Sequence, residues 1–331
     1  HVPAPHEFSE DTSKDKLLME LIAYFMQRGH FDPKDISDDF SEDLHETFLE
    51  LLDGQKRYFL KKDIAQFDRY KYALDDEFRA LQTSFFDLVY TRYLERRNET
   101  KSFYLEILAK PFDFNKKEEI NVDYENQQYP STLRLKVEKW RKQLKLSTLN
   151  ILHSKLEEEE KLAAKDESYV PKTFEVLEKE AREITKENME NYFSLMEDVR
   201  EEDWFGSYLN AFVTQFDPHS VYFAPVDKDR FDVSMSGKYE GIGARLTKRN
   251  QAIKIVDVIS GGPIWRDQSI EVGDQIMMVR QEEGDPVDVQ SMRLDDAIKL
   301  IKGPADTTVY LTIKRVDGTI EEVAIKRDTV E

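Results

Sequence analysis

Nine of the 12 glycines in this chain lie at or beyond Gly237, and the hydrophobic pattern changes where they begin. Before that point apolar residues recur at three- and four-residue spacing over long stretches, the pattern of helices with one buried face. Beyond it the apolar runs shorten to strand length and are separated by glycine turns. A chain written this way folds as an all-α part followed by a smaller β-rich part. Its 331 residues leave room for about two domains of roughly 150 residues each.

Residues 1–12 read as a flexible lead-in. The helical domain is expected over 13–216. Leu17, Leu18, Leu21, Ile22, Phe25 and Met26 mark a first helix that Gly29 ends. A second is expected from Ser41, as N-cap, through Leu44, Phe48, Leu51 and Leu52 to Gly54. A third carries Ile64, Phe67 and Tyr70. One long helix is expected from Asp75 to Arg97, a loop over Pro111–Tyr129, and helices over Leu133–Ala164, Pro171–Val199 and Trp204–Phe216. The aromatic residues Tyr24, Phe25, Phe48, Tyr58, Phe59, Phe67, Tyr70, Phe85 and Phe86 fall at helical spacing and are read as core. The alternative is a docking surface for an adaptor protein or a second copy of the chain.

Residues 217–236 read as a connecting segment, its first part extended because Pro218 and Pro225 flank it. The β-rich domain is expected over 237–327. Ile253–Val258 is a strand, Pro263 takes the first position of a short helix after Gly261-Gly262, and Gln275–Val279 is a strand. Leu294, Ala297, Ile298 and Ile301 give one face of a helix that Gly303 caps. Thr308–Arg315 and Glu321–Arg327 form a hairpin around Asp317-Gly318. These elements make a small, partly open barrel with two helices. Residues 328–331 are expected to begin a linker.

Within this domain, Gly241-Ile242-Gly243-Ala244 carries the chemistry. Two glycines let the backbone turn tightly, so that successive N–H groups aim at one anion. The strand after them offers an edge to which a peptide can add, its terminal carboxylate seated in the turn. The N–H groups of Ile242, Gly243 and Ala244 are the expected donors. The last apolar side chain of the peptide would lie between Ile242, Leu246 and the helix, with Ala297, Leu300 or Ile301 as the far wall and Arg293 leaning over the groove. Leu294 and Ile298 are assigned to the core. Gly243→Val is expected to abolish binding without unfolding the domain.

Other chemistries find little support. Residues 1–236 carry 34 Lys and Arg against 50 Asp and Glu, net −16, and residues 237–331 carry 14 against 17, net −3. That balance argues against a nucleic-acid partner. The absence of cysteine excludes disulfides and thiolate chemistry. The six histidines lack the paired spacing of a zinc site, so neither metal nor cofactor is expected. No apolar run approaches the ~18 residues of a membrane span. Asp217, His219 and Ser220 are the residue types of a hydrolytic triad, but such close neighbours on an extended segment do not easily make the required chain of contacts, and no catalytic role is assigned to them.

The glycine-rich domain resembles a PDZ domain. Gly241–Ala244 matches its carboxylate-binding loop, followed by Ser260-Gly261-Gly262-Pro263-Ile264, Val272-Gly273-Asp274-Gln275-Ile276, the helix Arg293–Lys302 and the strand Thr308–Lys314. The order of elements is that of the circularly permuted form found in bacterial proteases. Asp217–Pro225, Met235-Ser236 and Arg293–Pro304 are similar to the matching parts of carboxy-terminal processing, or tail-specific, proteases. Leu52-Asp53-Gly54, Tyr58-Phe59-Leu60, Asp63-Ile64 and Phe67 resemble the N-terminal helical region of the tail-specific branch. The fold class implied is multidomain, all-α and then a small α/β PDZ domain. The resemblance implies a serine endopeptidase that binds non-polar C-terminal tails of proteins and works in the periplasm or cell envelope. The family's Ser/Lys dyad and its Ser-Ala-Ser-like turn match nothing here, so no catalytic residue is assigned. The catalytic core is expected outside these residues, and this polypeptide is expected to be inactive alone. A non-catalytic PDZ adaptor is the alternative.

Overall fold

The structure, a computed structural model, describes residues 14–330. The lead-in read over residues 1–12 lies outside them. The chain divides into two compact units. One comprises the described residues up to Met189 with Val199–Tyr222; the other comprises Glu190–Asp198 and the described residues from Phe223 onward.

The first unit is helical: α1 (Lys14–Arg28), α2 (Asp38–Asp53), α3 (Lys61–Phe67), α4 (Leu74–Ala80), α5 (Ser84–Leu108), α6 (Leu133–Lys165), most of α7 (Phe174–Asp198) and α8 (Glu201–Thr214). Its core is aromatic. Phe48, Tyr58, Phe59, Phe67, Phe85 and Phe86 are all buried, as their spacing implied, whereas Phe25 remains mostly exposed. Phe78 stacks on Phe212 with ring centroids 4.0 Å apart, and Phe48 meets Tyr208 edge-on at 4.9 Å. Each such pair adds roughly 0.5–1.5 kcal/mol to the burial of its rings.

Several helix boundaries differ from the sequence reading, among them the end of α5 at Leu108 where Arg97 was expected. Helix α2 starts four residues early, with Ser37 and not Ser41 at its N-cap. Ser41 lies inside the helix, and its buried hydroxyl accepts a hydrogen bond from the Leu74 N–H at 2.7 Å. The long helix expected over Asp75–Arg97 is broken. Leu81 adopts a left-handed conformation (φ 53°) and closes α4 with Gln82 N–H on the Glu77 carbonyl and Leu81 N–H on that of Phe78. This is the helix stop usually made by glycine; a leucine there leaves no mark in the sequence.

Asp53 organises the chain beyond α2. Its carboxylate accepts from the N–H groups of Arg57, Tyr58 and Phe59 at 2.7–2.9 Å. That arrangement turns the Tyr58-Phe59-Leu60 segment inward, and Trp140 of α6 fastens it by donating from Nε1 to the Arg57 carbonyl.

The second unit opens with α9 (Pro225–Ser236), so the later part of the connecting segment is helical. It continues with β1 (Tyr239–Gly241), β2 (Ala244–Arg249), β3 (Ala252–Val258), α10 (Pro263–Asp267), β4 (Gln275–Gln281), β5 (Val287–Asp288), α11 (Leu294–Ile301), β6 (Thr308–Lys314), β7 (Ile320–Lys326) and β8 (Asp328–Val330). The main sheet is antiparallel in the order β2-β3-β4-β6-β7, with β5 also pairing β4. Its inward residues, among them Ile253, Ile255, Ile276, Val309, Leu311, Ile313 and Ile325, bury a common core with Ala297 and Ile301 of α11. The hairpin at Asp317-Gly318 forms as expected, with Gly318 at φ 90°. The barrel is not closed: β1 and β8 form a separate two-stranded ladder. Asp328–Val330, expected to begin a linker, are therefore part of the domain, paired across from Tyr239–Gly241.

A groove between an open strand edge and a helix

Strand β2 ends the main sheet: β3 occupies one of its edges and no strand of that sheet the other. Beside it lies a cavity of about 750 Å³, whose lining includes Ile242, Ala244 and Leu246 on one side and Ile298, Ile301 and Lys302 on the other. Val233, Gly237 and Tyr239 also contribute to its lining.

The turn at the head of the groove is held from behind. Ile264 N–H, in the first turn of α10, donates to the Ile242 carbonyl, and Ile259 N–H donates to that of Gly243 at 2.9 Å. In an antiparallel ladder successive residues face alternately inward and outward. Since the Gly243 carbonyl faces β3, the N–H of Ala244 points to the open edge. Gly243 has φ 80°, and a Cβ on it would lie 3.0 Å from Gly262 Cα. Glycine is required there twice over, by conformation and by close approach. Gly243→Val therefore strains the loop itself, where a side chain meets Gly262 and Pro263.

Of the residues read as the binding site, Ile242, Ala244, Leu246 and Ile301 line the groove, and Gly241 and Gly243 shape its head. Ala297 does not line it, being fully buried in the core. Leu300 packs against that core instead, and its carbonyl accepts from Gln281 and Arg327. Arg293 stands at the N-cap of α11 and is absent from the lining. Ile298, assigned to the core from sequence, faces the groove. Ala297 faces inward, Ile298 and Lys302, four apart, face the groove, and Ile301 lies at the border, packed in the core and lining the groove. An apolar residue at each of 294, 297, 298 and 301 hid that division.

Sequence reasoning also missed Tyr239 and Lys302. Tyr239 lies flat against the loop: a Cβ on Gly241 would be 3.1 Å from its Cε2. The Lys302 ammonium sits 4.9 Å from the centre of the Tyr239 ring. Helix α9 approaches the same region, where Arg230 pairs with Asp295 of α11.

The triad-like residues form a turn. Asp217 accepts from the His219 N–H at 3.2 Å and from the Ser220 hydroxyl at 3.3 Å, and the same hydroxyl lies 3.2 Å from His30 Nε2. The bonds hold the Asp217 carboxyl below its usual range, those from His219 most of all. Among the described residues no group of three or more His, Asp or Glu side chains is placed to hold a metal ion, and no helix is long and apolar enough to cross a membrane.

Comparison with known proteins agrees with this architecture. The family profile described as "Tail specific protease N-terminal domain" matches residues 22–226, and the PDZ domain profile matches 231–314. The chain is 27% identical over 308 residues to a tail-specific protease of Haemophilus influenzae, covering 93% of this chain and 41% of that protein. It is 33% identical over 114 residues to the carboxy-terminal processing protease CtpA of Bacillus subtilis, covering 34% of this chain and 23% of that one. A solved PDZ domain of a carboxy-terminal protease from Vibrio cholerae, in complex with peptide, is 38% identical, with a TM-score of 0.28, covering 28% of this chain and 98% of that one. The chain thus spans about two fifths or less of the length of these two curated relatives. With the tail-specific profile alone extending over more than half of its residues, the chain belongs to the tail-specific, or carboxy-terminal processing, protease family.

Proposed function

We propose that the PDZ unit captures the non-polar C-terminal tails of proteins and presents them for cleavage by a Ser/Lys serine-protease core belonging to the same full-length protein. One observation carries this reading: the unpaired edge of β2 runs beside an apolar groove whose head is the Gly241–Ala244 turn. An extended peptide adds to such an edge through main-chain hydrogen bonds. Its terminal carboxylate then meets the N–H of Ala244, with those of Ile242 and Gly243 beside it, through charge-assisted bonds stronger than neutral ones. Its last side chain fits among Ile242, Leu246 and Ile298. Proteolysis by the full-length protein and a place in the periplasm or cell envelope are part of the same proposal, drawn from the family resemblance.

The test is titration of this polypeptide with a labelled peptide of about ten residues ending in valine, once with a free carboxylate and once amidated. The free acid is expected to bind at least about tenfold more tightly. Equal affinities would remove the reading. The proteolytic half is tested separately, by cleavage of a tail-bearing protein by the full-length enzyme.

A further inference from the structure

Three cations on the elements around the groove are already paired. Arg230 of α9 pairs with Asp295 of α11, Arg245 of β2 lies 3.6 Å from Asp257 of β3, and Lys299 of α11 lies 3.9 Å from Asp296. Lys302 differs. It lines the groove and is exposed, and among the described residues its ammonium has neither an ion pair nor a hydrogen bond.

Two contacts bring that charge to the head of the groove. The stem of Lys302 runs past Gly241, where a Cβ on the glycine would lie 3.6 Å from Lys302 Cγ. The ammonium rests 4.9 Å from the centre of the Tyr239 ring, and the same ring packs against Gly241. The negative face of an aromatic ring attracts a cation without neutralising it. Tyr239 thus holds the ammonium beside the first residue of the Gly241–Ala244 turn, with its charge free to act on what enters there. The setting gives that charge weight. Residues 237–331 carry net −3 and the whole chain −19, so an approaching carboxylate meets a field that is repulsive on balance. The amides of the turn act at hydrogen-bond range, whereas an ammonium is felt over the screening length, ~10 Å at 0.1 M salt.

We infer that Lys302, at the C-terminal end of α11, is a specificity-determining residue of the groove, the side chain that reads the charge of a terminal carboxylate. This rests on the tail-binding reading above. That reading places the carboxylate among backbone donors; Lys302 adds a fixed side-chain charge that selects acid over amide and speeds capture when salt is low.

The test is Lys302→Met in the whole polypeptide, titrated with the valine-ended peptide as free acid and as amide. Titrations are made at about 0.01 M and about 1 M salt, where the screening lengths are ~30 Å and ~3 Å. Methionine keeps an unbranched stem against Gly241 and removes the charge. At low salt the variant is expected to bind the acid about threefold to fivefold more weakly, as for an exposed ion pair, and the amide within about 1.5-fold of the parent. At high salt parent and variant are expected to bind the acid alike. Lys302→Arg, which keeps the charge, should stay within about twofold of the parent for the acid. A loss equal for acid and amide, or one that persists undiminished at high salt, gives Lys302 a packing role and overturns the inference. So does a Lys302→Met variant that binds the acid as tightly as the parent at low salt. The tail-binding reading has its own signature: if the parent does not prefer the acid, that reading fails and the inference with it. A parent that prefers the acid, beside a variant with the same preference, overturns only the role of Lys302.

Discussion

Arg327 donates through Nε to the carbonyl of Ile301 at 2.9 Å, joining the residue that follows β7 to the last residue of the groove helix. The same guanidinium reaches the Leu300 carbonyl, Gln281 Oε1 and Thr307 Oγ1, all within 3.0 Å. The last carbonyls of a helix have no partner within it, and a positive charge there also meets the negative end of its dipole. Helix α11 ends without the expected glycine cap, since Lys302 takes that place with extended backbone. Gly303 serves another purpose, leaving room for Arg327.

Gly303→Ala should therefore loosen the groove wall. A Cβ there would lie 2.8 Å from Arg327 Cζ, and the guanidinium, on a residue only 3% exposed and tied by four hydrogen bonds, has nowhere to retreat without breaking some of them. A loss of ~1–3 kcal/mol is expected, seen as a lower urea midpoint for the PDZ unit. A variant as stable as the parent would show that Arg327 does not hold the helix end.

Ile298 and Leu300 should separate binding from stability. Ile298→Asp puts a charge into the apolar wall of the groove and is expected to weaken the valine-ended peptide at least about tenfold at a modest cost in folding. Leu300→Ala removes a side chain packed on the core and should cost ~1–2 kcal/mol of stability while leaving affinity within about threefold. Calorimetric titration with parallel thermal melts distinguishes them; the reverse pattern would place the wall of the groove on the other face of α11.

Lys248, on the groove strand β2, has a side chain only 5% exposed and is paired with Asp198 at 2.8 Å. Asp198→Ala strands that ammonium in a poorly solvated place and should cost ~2–3 kcal/mol, less than a fully buried pair because Asp198 is partly exposed. Adding Lys248→Met should recover most of the loss. If the double variant melts no higher than Asp198→Ala alone, the pair is not the source of the effect.

Asp53 gives the helical unit a distinctive pH response. Burial outweighs its three N–H donors and raises its carboxyl to about 6. A raised acid holds its proton in the folded state where the unfolded chain has lost it. Its contribution is thus complete below about pH 4 and disappears as pH rises through about 6. A carboxamide at this position would offer one acceptor oxygen to three donors, so Asp53→Asn should cost ~1–3 kcal/mol. The substitution also removes the titration, and the gap between parent and variant should be about 1 kcal/mol wider near pH ~5 than near pH ~7. Denaturant melts at both values check the sign, and a gap that widens with rising pH would contradict it.

The order of elements was legible because it rests on local physics. Helical spacing marked α1, α6 and α7, Gly261-Gly262-Pro263 marked α10, and Asp317-Gly318 marked its hairpin. The turn at Gly241–Ala244 was legible because Gly243 takes a backbone conformation that favours glycine. What escaped depends on contacts between distant residues. Leu81 ends a helix in a conformation that its side chain does not advertise. Ser41 resembles a cap but serves Leu74 from within α2. Ile298 is as apolar as its core neighbours, so only packing assigns it to the groove. Tyr239 reads as one more strand aromatic until its ring is found against Gly241 and under the Lys302 ammonium.

The β1–β8 ladder sets a practical limit on where this domain can be cut. A boundary drawn after Arg327, where the hairpin strands finish, would strip the partner from Tyr239, Glu240 and Gly241 and leave the approach to the Gly241–Ala244 turn as a frayed thread. In the intact chain, the strand that leads into the turn and the strand that leaves the domain are laced together. A pull on β8 would therefore act directly on the residues that lead into the Gly241–Ala244 turn.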